Sequence, residues 1–251
     1  MLSGKSIFVY AFYTTTTQHA NKQIVKLNKE KFNSKKFALL DDWSYFCRPK
    51  MKIMSKTIKH EIKADYLLEK GMEIIWSKGY NGTSVNDIVK AADVPKGSFY
   101  FYFDSKEDFA IKALDKYFTT QVTPALVILR DKSFSAKQRL INFYEYRIEV
   151  VKKELECKNG CMACNLSNEM AEHNENIREA VLEKHDTIKT EIIKVAIEAQ
   201  KQGEIDASID IANMVDFIED AGKGAMTSMK ETQSAYPMDN VMNMTRQLFL
   251  K

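Results

Sequence analysis

Twenty residues, Ser84 to Phe103 (SVNDIVKAADVPKGSFYFYF), restrict this chain more than any other stretch. Val85, Ile88 and Val89 recur at i, i+3 and i+4, which is one face of a helix. Ser84 can cap that helix, and Asp87 three residues on can return the bond. Ala91-Ala92-Asp93-Val94 breaks the pattern, and Pro95 suits the opening of a second helix because it has no N–H to satisfy there. That second helix, Lys96 to Tyr102, starts small with Gly97 and Ser98 and ends in aromatic rings. The spacing predicts two short helices around a tight turn.

A helix of this kind suits the DNA major groove, which admits one α-helix. Gly97 and Ser98 let the backbone come close to base edges, and Lys96 with the first-turn N–H groups favours phosphate oxygen. Tyr100 and Tyr102 lie two apart and so point to different sides, toward opposite groove walls. With Ser84 and Asn86 on the preceding helix, these form a candidate DNA-binding set. The same pattern fits an ordinary helical hairpin with an aromatic core.

Residues beyond the pair separate the two readings. Leu67-Leu68, Ile74-Ile75, Gly79-Tyr80, Thr83-Ser84, Asp87-Ile88, Ala91-Ala92 and Val94 are followed by Lys96-Gly97-Ser98-Phe99-Tyr100, Tyr102-Phe103 and Ser105-Lys106-Glu107. In this ungapped spacing the segment from about Lys56 to Phe118 resembles the DNA-binding domain of the tetracycline-repressor (TetR) family of bacterial transcription regulators. The departures are mild. Asp93 stands where the family usually has Gly, and Asp tolerates left-handed geometry better than most residues. Pro95 replaces a common Ser, and Gly71 replaces a helix-favouring Ala at about 1 kcal/mol. The resemblance implies that Lys106 touches phosphate and that the helix it opens links a DNA-binding head to a body.

Composition fits an all-helical chain: of 251 residues only four are Pro and nine Gly, and 45% are hydrophobic. Charge is uneven. Residues 1–54 hold ten Lys/Arg against three Asp/Glu, residues 55–118 hold ten of each, and the rest hold 17 against 21. The DNA-binding segment is therefore not basic in bulk. Phosphate attraction must come from placement, through Lys96, Lys106, Lys56 and Lys59, and a dimer doubles it. No apolar run approaches the ~20 residues of a membrane span, and Ile7 to Tyr13 makes a poor signal peptide, so a cytoplasmic location is expected.

The expected domains are 1–54, a basic extension that is disordered or untranslated with Met51 or Met54 as the true start, or else a basic arm touching DNA outside the major groove; 55–118, a three-helix DNA-binding domain with its helix-turn-helix at 84–103; and 119–251, a regulatory and dimerisation domain. A first helix runs from about Thr57 to Lys78 and stops at Gly79. A fourth, opened by Ser105, runs to about Thr120. Later helices are expected at 122–131, 135–156, 163–172, 174–202, 207–230 and 238–250. Ile209, Ala212, Met214, Val215, Phe217 and Ile218 make a broad apolar surface, and Gly222, Gly224 and Ala225 permit close approach of another helix. The last helix adds Val241, Met244, Leu248 and Phe249. These surfaces fit either an intramolecular core or, as the resemblance implies, a four-helix dimer interface.

Three cysteines cluster as Cys157-x3-Cys161-x2-Cys164. The spacing matches the iron–sulfur motif of radical S-adenosylmethionine enzymes, but no βα repeat accompanies it. With His173 the cluster has a zinc-like Cys-x2-Cys pair and a distant fourth ligand. As a thiol sensor, Cys161 after Gly160 sits where a helix N-terminus favours thiolate. The fourth reading is buried cysteine acting as a small hydrophobe. Gly160-Cys161-x3-Asn165-Leu166-x2-Glu169 resembles a pattern in one branch of TetR-family regulatory domains, which more often has Gly at the position of Cys164.

The expectation is thus a DNA-binding transcriptional regulator, a repressor released from a pseudo-palindromic operator by a small-molecule or thiol-reactive inducer, acting as a homodimer without cofactor, metal or catalytic residues. The alternative is a metal- or iron–sulfur-binding protein or enzyme built on the Cys157, Cys161 and Cys164 cluster. Phe143, Tyr146, Met162, Met170 and Phe217 are the candidate ligand contacts, with Arg147 and Glu145 as polar partners. In the family's two-state mechanism a bound ligand tilts the fourth helix, and the paired recognition helices no longer match half-sites one helical turn apart.

Overall fold

Every element of the computed structural model is helical among the residues it describes, 61, 63–154 and 158–249. The extension 1–54, Lys56, Lys59, Cys47 and Cys157 lie outside the described residues. Helix α1 runs through residues 63–78 and ends at Gly79, whose φ of +80° is left-handed. Leu67, Gly71, Met72 and Ile75 form its buried stripe. Helix α2, Val85–Ala91, has Ser84 and Asp87 in a reciprocal capping box. Asp93 turns the chain at φ +52°, and α3 follows at Lys96–Tyr102, preceded by Pro95 in extended geometry. Phe99 of α3 is wholly buried against Phe103 and Phe109, at ring separations of 5.4 and 5.5 Å. The α1–α3 core is therefore aromatic and local.

Helix α4, Lys106–Tyr117, is capped by Ser105 and continues through a π-helical turn, Phe118–Val122, and a 3₁₀ turn, Thr123–Ala125. Its buried face (Phe109, Ala113, Leu114, Tyr117) joins head to body. The body comprises α5 (Leu126–Arg130), α6 (Ala136–Glu149, extended by a π turn Val150–Glu154), α7 (Met162–Met170), α8 (Glu175–Lys201), α9 (Ile211–Thr232) and α10 (Tyr236–Phe249). Arg139 is buried within it, donating to the Leu129 carbonyl at 2.8 Å and paired with Glu198 at 2.6 Å.

Two expectations need correction. The penultimate helix starts at Ile211 rather than 207, because Asp210 caps it by accepting the Asn213 N–H, and Ile209 precedes it. Its apolar surface is also narrower than expected. Met214, Val215 and Ile218 face inward, which turns Ala212 and Phe217 out to solvent.

Candidate nucleic-acid interface and internal cavity

The start of α3 is open. Lys96 and Gly97 are exposed, and a side chain added at Gly97 would meet nothing within 4 Å. Ser98 is half-buried, Tyr100 is 58% exposed and Tyr102 half-buried. Phe101, 68% exposed, was not singled out in the sequence because a ring without a polar tip reads as core. On α2, Asn86 is exposed, and the Ser84 hydroxyl is engaged with Asp87 at 2.6 Å. Of the α3 side chains only Phe99 is fully buried, and Ser84, Asn86, Lys96, Ser98, Tyr100, Phe101 and Tyr102 all keep some exposure.

Lys106, the expected phosphate contact, is engaged within the head. Its ammonium donates to the Tyr80 and Thr83 carbonyls, both at 2.8 Å, and stands 4.1 Å from the Tyr80 ring centre. Burial lowers its pKa, against the pull of Glu169. Two of its three N–H groups are therefore spent on pinning the loop before α2 rather than presented to phosphate.

Behind the head lies a cavity of about 130 Å³ between α4, α6, the start of α7, α8, α9 and α10. Its apolar wall includes Trp76, Tyr117, Tyr144, Ile188, Met226 and Met238. Its polar groups include Cys161, Cys164, Arg147, His185 and Glu219. The Arg147 guanidinium donates to Glu219 at 2.7 Å. Burial lowers the His185 pKa, so its imidazole is neutral near pH 7. The Tyr144 hydroxyl is buried without a hydrogen-bond partner, and its pKa is raised first by burial and then by Glu219.

Cys161 immediately precedes α7, and Cys164 is one turn in; both thiols are free. The Tyr117 hydroxyl donates to the Cys161 sulfur at 3.7 Å. The Cys161 pKa is pulled down, first by the Cys164 thiol, then by the Cys164 amide, Tyr117 and Arg147, all acting against burial. The Cys164 pKa moves up because it is the donor to that same neighbour. Burial and the Cys161 charge keep Tyr117 protonated, so it remains a donor. The pair therefore consists of one thiolate-leaning sulfur and one thiol, side by side in the cavity wall.

Of the expected sensing residues, Cys161, Cys164 and Tyr146 line the cavity. Phe143 and Met162 are fully buried outside its wall, and Met170 is half-buried at the far end of α7. Phe217 is corrected outright: it is 60% exposed on the outer face of α9. Glu145 pairs with Arg246 at 2.7 Å, away from the cavity. Trp76 and Tyr117 come from elements read as head and linker, and Tyr144 lies between the expected contacts Phe143 and Tyr146 without having been singled out. Among the described residues no three His, Cys, Asp or Glu side chains gather to hold a metal, which leaves the zinc and iron–sulfur readings without support there. Nor is any described helix long and apolar enough to cross a membrane.

An exposed helix-turn-helix carried on a helical body is the architecture of a DNA-binding regulator. Two family models match: "Bacterial regulatory proteins, tetR family" over residues 67–113, and "Tetracyclin repressor-like, C-terminal domain" over 136–245. The chain is 30% identical over 185 residues to the HTH-type transcriptional repressor DhaR of Mycobacterium sp. (strain GP1), covering 74% of this chain and 91% of that protein. It is 35% identical over 147 residues to the transcriptional regulator AcuR of Cereibacter sphaeroides, covering 57% of this chain and 65% of that protein. A crystal structure described as regulatory protein TetR from Rhodobacter sphaeroides superposes with a TM-score of 0.68 at 28% identity, over 74% of this chain and 98% of that one. The chain belongs to the TetR family of bacterial transcription regulators and is a DNA-binding regulator of transcription.

Proposed function

We propose that this protein is a homodimeric, cytoplasmic repressor, rather than an enzyme, released from a pseudo-palindromic operator when a small electrophile reacts with Cys161. Residues 55–118 serve as the DNA-binding domain and 119–251 as the regulatory and dimerisation domain. Lys96, Gly97, Ser98, Tyr100 and Tyr102, with Ser84 and Asn86, meet the duplex. The observation that carries the reading is the place of Cys161: a sulfur with a lowered pKa, in the wall of a cavity that also touches α4, α9 and α10. The cavity volume of about 130 Å³ suits an inducer of roughly benzene size. The thiolate sulfur adds to an electron-poor carbon–carbon double bond, and the neighbouring carbon takes a proton. A non-covalent inducer is the second reading, favoured by the unpartnered Tyr144 hydroxyl.

The test uses duplexes recovered by selection from genomic DNA and read by fluorescence anisotropy. Tyr100→Ala is expected to weaken binding about tenfold on all duplexes, whereas Lys96→Ala and Ser98→Ala also change sequence preference. N-ethylmaleimide is expected to release the wild type but not Cys161→Ser. Unchanged affinity in all three variants would remove α3 as the groove helix. Release of Cys161→Ser by the same reagent would remove the thiol reading.

A further inference from the structure

Glu169 ends the short helix that Cys161 begins. Its two carboxylate oxygens accept the Tyr80 and Asn81 backbone N–H groups at 3.1 and 2.8 Å, 89 and 88 residues away in sequence. These amides lie just after α1. The chain there is fitted to the carboxylate: Gly79 is left-handed, and any side chain on it would collide with Glu169. The other end of α7 holds α1 as well, since the Trp76 indole N–H donates to the Gly160 carbonyl at 2.9 Å, one residue before Cys161. Lys106 grips the same loop through the Tyr80 and Thr83 carbonyls. Directly after Thr83 comes Ser84, the cap of α2.

We propose that Glu169 is a positioning residue for DNA binding, a carboxylate clamp through which α7 sets the loop that starts the helix-turn-helix and reports the state of the cavity to it. The second half of this statement rests on the electrophile reading above; the first does not. A helix of nine residues is about 13 Å long and moves as a rigid rod. An adduct on Cys161 crowds the cavity wall at one end, and a shift of α7 loads its two holds on α1 and the loop after it, Gly160 and the Glu169 clamp. Loosening the clamp frees Tyr80 and Asn81 and lets the α2 cap drift relative to α4.

The experiment compares the wild type, Glu169→Gln and Glu169→Ala on the genomic duplex, before and after treatment with N-ethylmaleimide. Mass spectrometry verifies equal labelling of Cys161, and thermal melting verifies folding. Glu169→Ala is expected to bind the duplex about tenfold more weakly, and labelling should then change its affinity less than twofold. Glu169→Gln, which keeps one acceptor oxygen, should fall between and serves as the measurement if the alanine variant does not fold. In the labelled wild type the Tyr80 and Asn81 amides should exchange hydrogen faster. Wild-type affinity and full release in folded Glu169→Ala would overturn the proposal. So would a released wild type whose Tyr80 and Asn81 amides are unchanged. A wild type that is labelled but stays on DNA would remove the electrophile reading, while the affinity loss in the unlabelled variants still decides the positioning role.

Discussion

At the residue scale, Cys161 owes its character to groups that only folding brings near it. Gly160 and the helical pattern after it made the helix-start position legible, because a helix N-terminus favours thiolate. The Tyr117 hydroxyl and the Arg147 charge were not legible, since they lie 44 and 14 residues away on helices whose relative placement no local pattern encodes. The pH consequence has a definite sign. A lowered pKa keeps the sulfur ionised below the usual thiol range of about 8.5. The rate of Cys161 alkylation by iodoacetamide is thus expected to stay level as pH falls from 8.5 toward neutrality and to drop only below the lowered pKa. Tyr117→Phe removes one donor to the thiolate, so the drop should move to higher pH. Site-resolved mass spectrometry over a pH series measures both. A tenfold fall per pH unit starting at 8.5 would show an ordinary thiol.

At the scale of elements, local pattern carried the head almost completely and the body only in outline. The α2–α3 pair was legible because capping, periodicity and the turn at Asp93 all act within a few residues. The start of α9 was not, because the apolar residues at 209 and 211 extend the helical pattern back past the Asp210 cap. Gly71 shows tertiary contact overruling propensity. In isolation Ala is the better helix former by about 1 kcal/mol. In the fold, a methyl at 71 would collide with the Phe109 ring and lie 2.6 Å from an Ile88 methyl, so α1, α2 and α4 meet only over a glycine. Gly71→Ala is therefore expected to destabilise the protein by about 1–3 kcal/mol, as overpacked cores do, in place of the gain that propensity alone implies. Urea unfolding followed by circular dichroism checks the sign, and a stabilised variant would mean that the three helices part without cost.

At the scale of the whole molecule, α9 and α10 each leave a large apolar side chain in solvent, as α5 and α8 do with Val127 and Leu182. Phe217 is 60% exposed and Met244 47%, and a side chain added at Gly224, two turns along from Phe217, would meet nothing within 4 Å. The sequence offered two readings for this surface, core or partner interface. The inward set of Met214, Val215, Ile218, Met242 and Phe249 already fills the core. Phe217 thus stands outside the cavity, on the surface proposed for a second copy of the chain. The dimer matters for DNA because one head contributes few exposed cations, and two heads held at a fixed spacing bind one duplex as a single event. Phe217→Asp combined with Met244→Asp is expected to give monomers by sedimentation at micromolar concentration while the melting curve stays cooperative. Operator affinity should fall at least a hundredfold, because the second head loses its effective concentration. A dimer that survives both charges would place the interface on another face of the body, and the spacing of the two α3 helices would then have to be set from there.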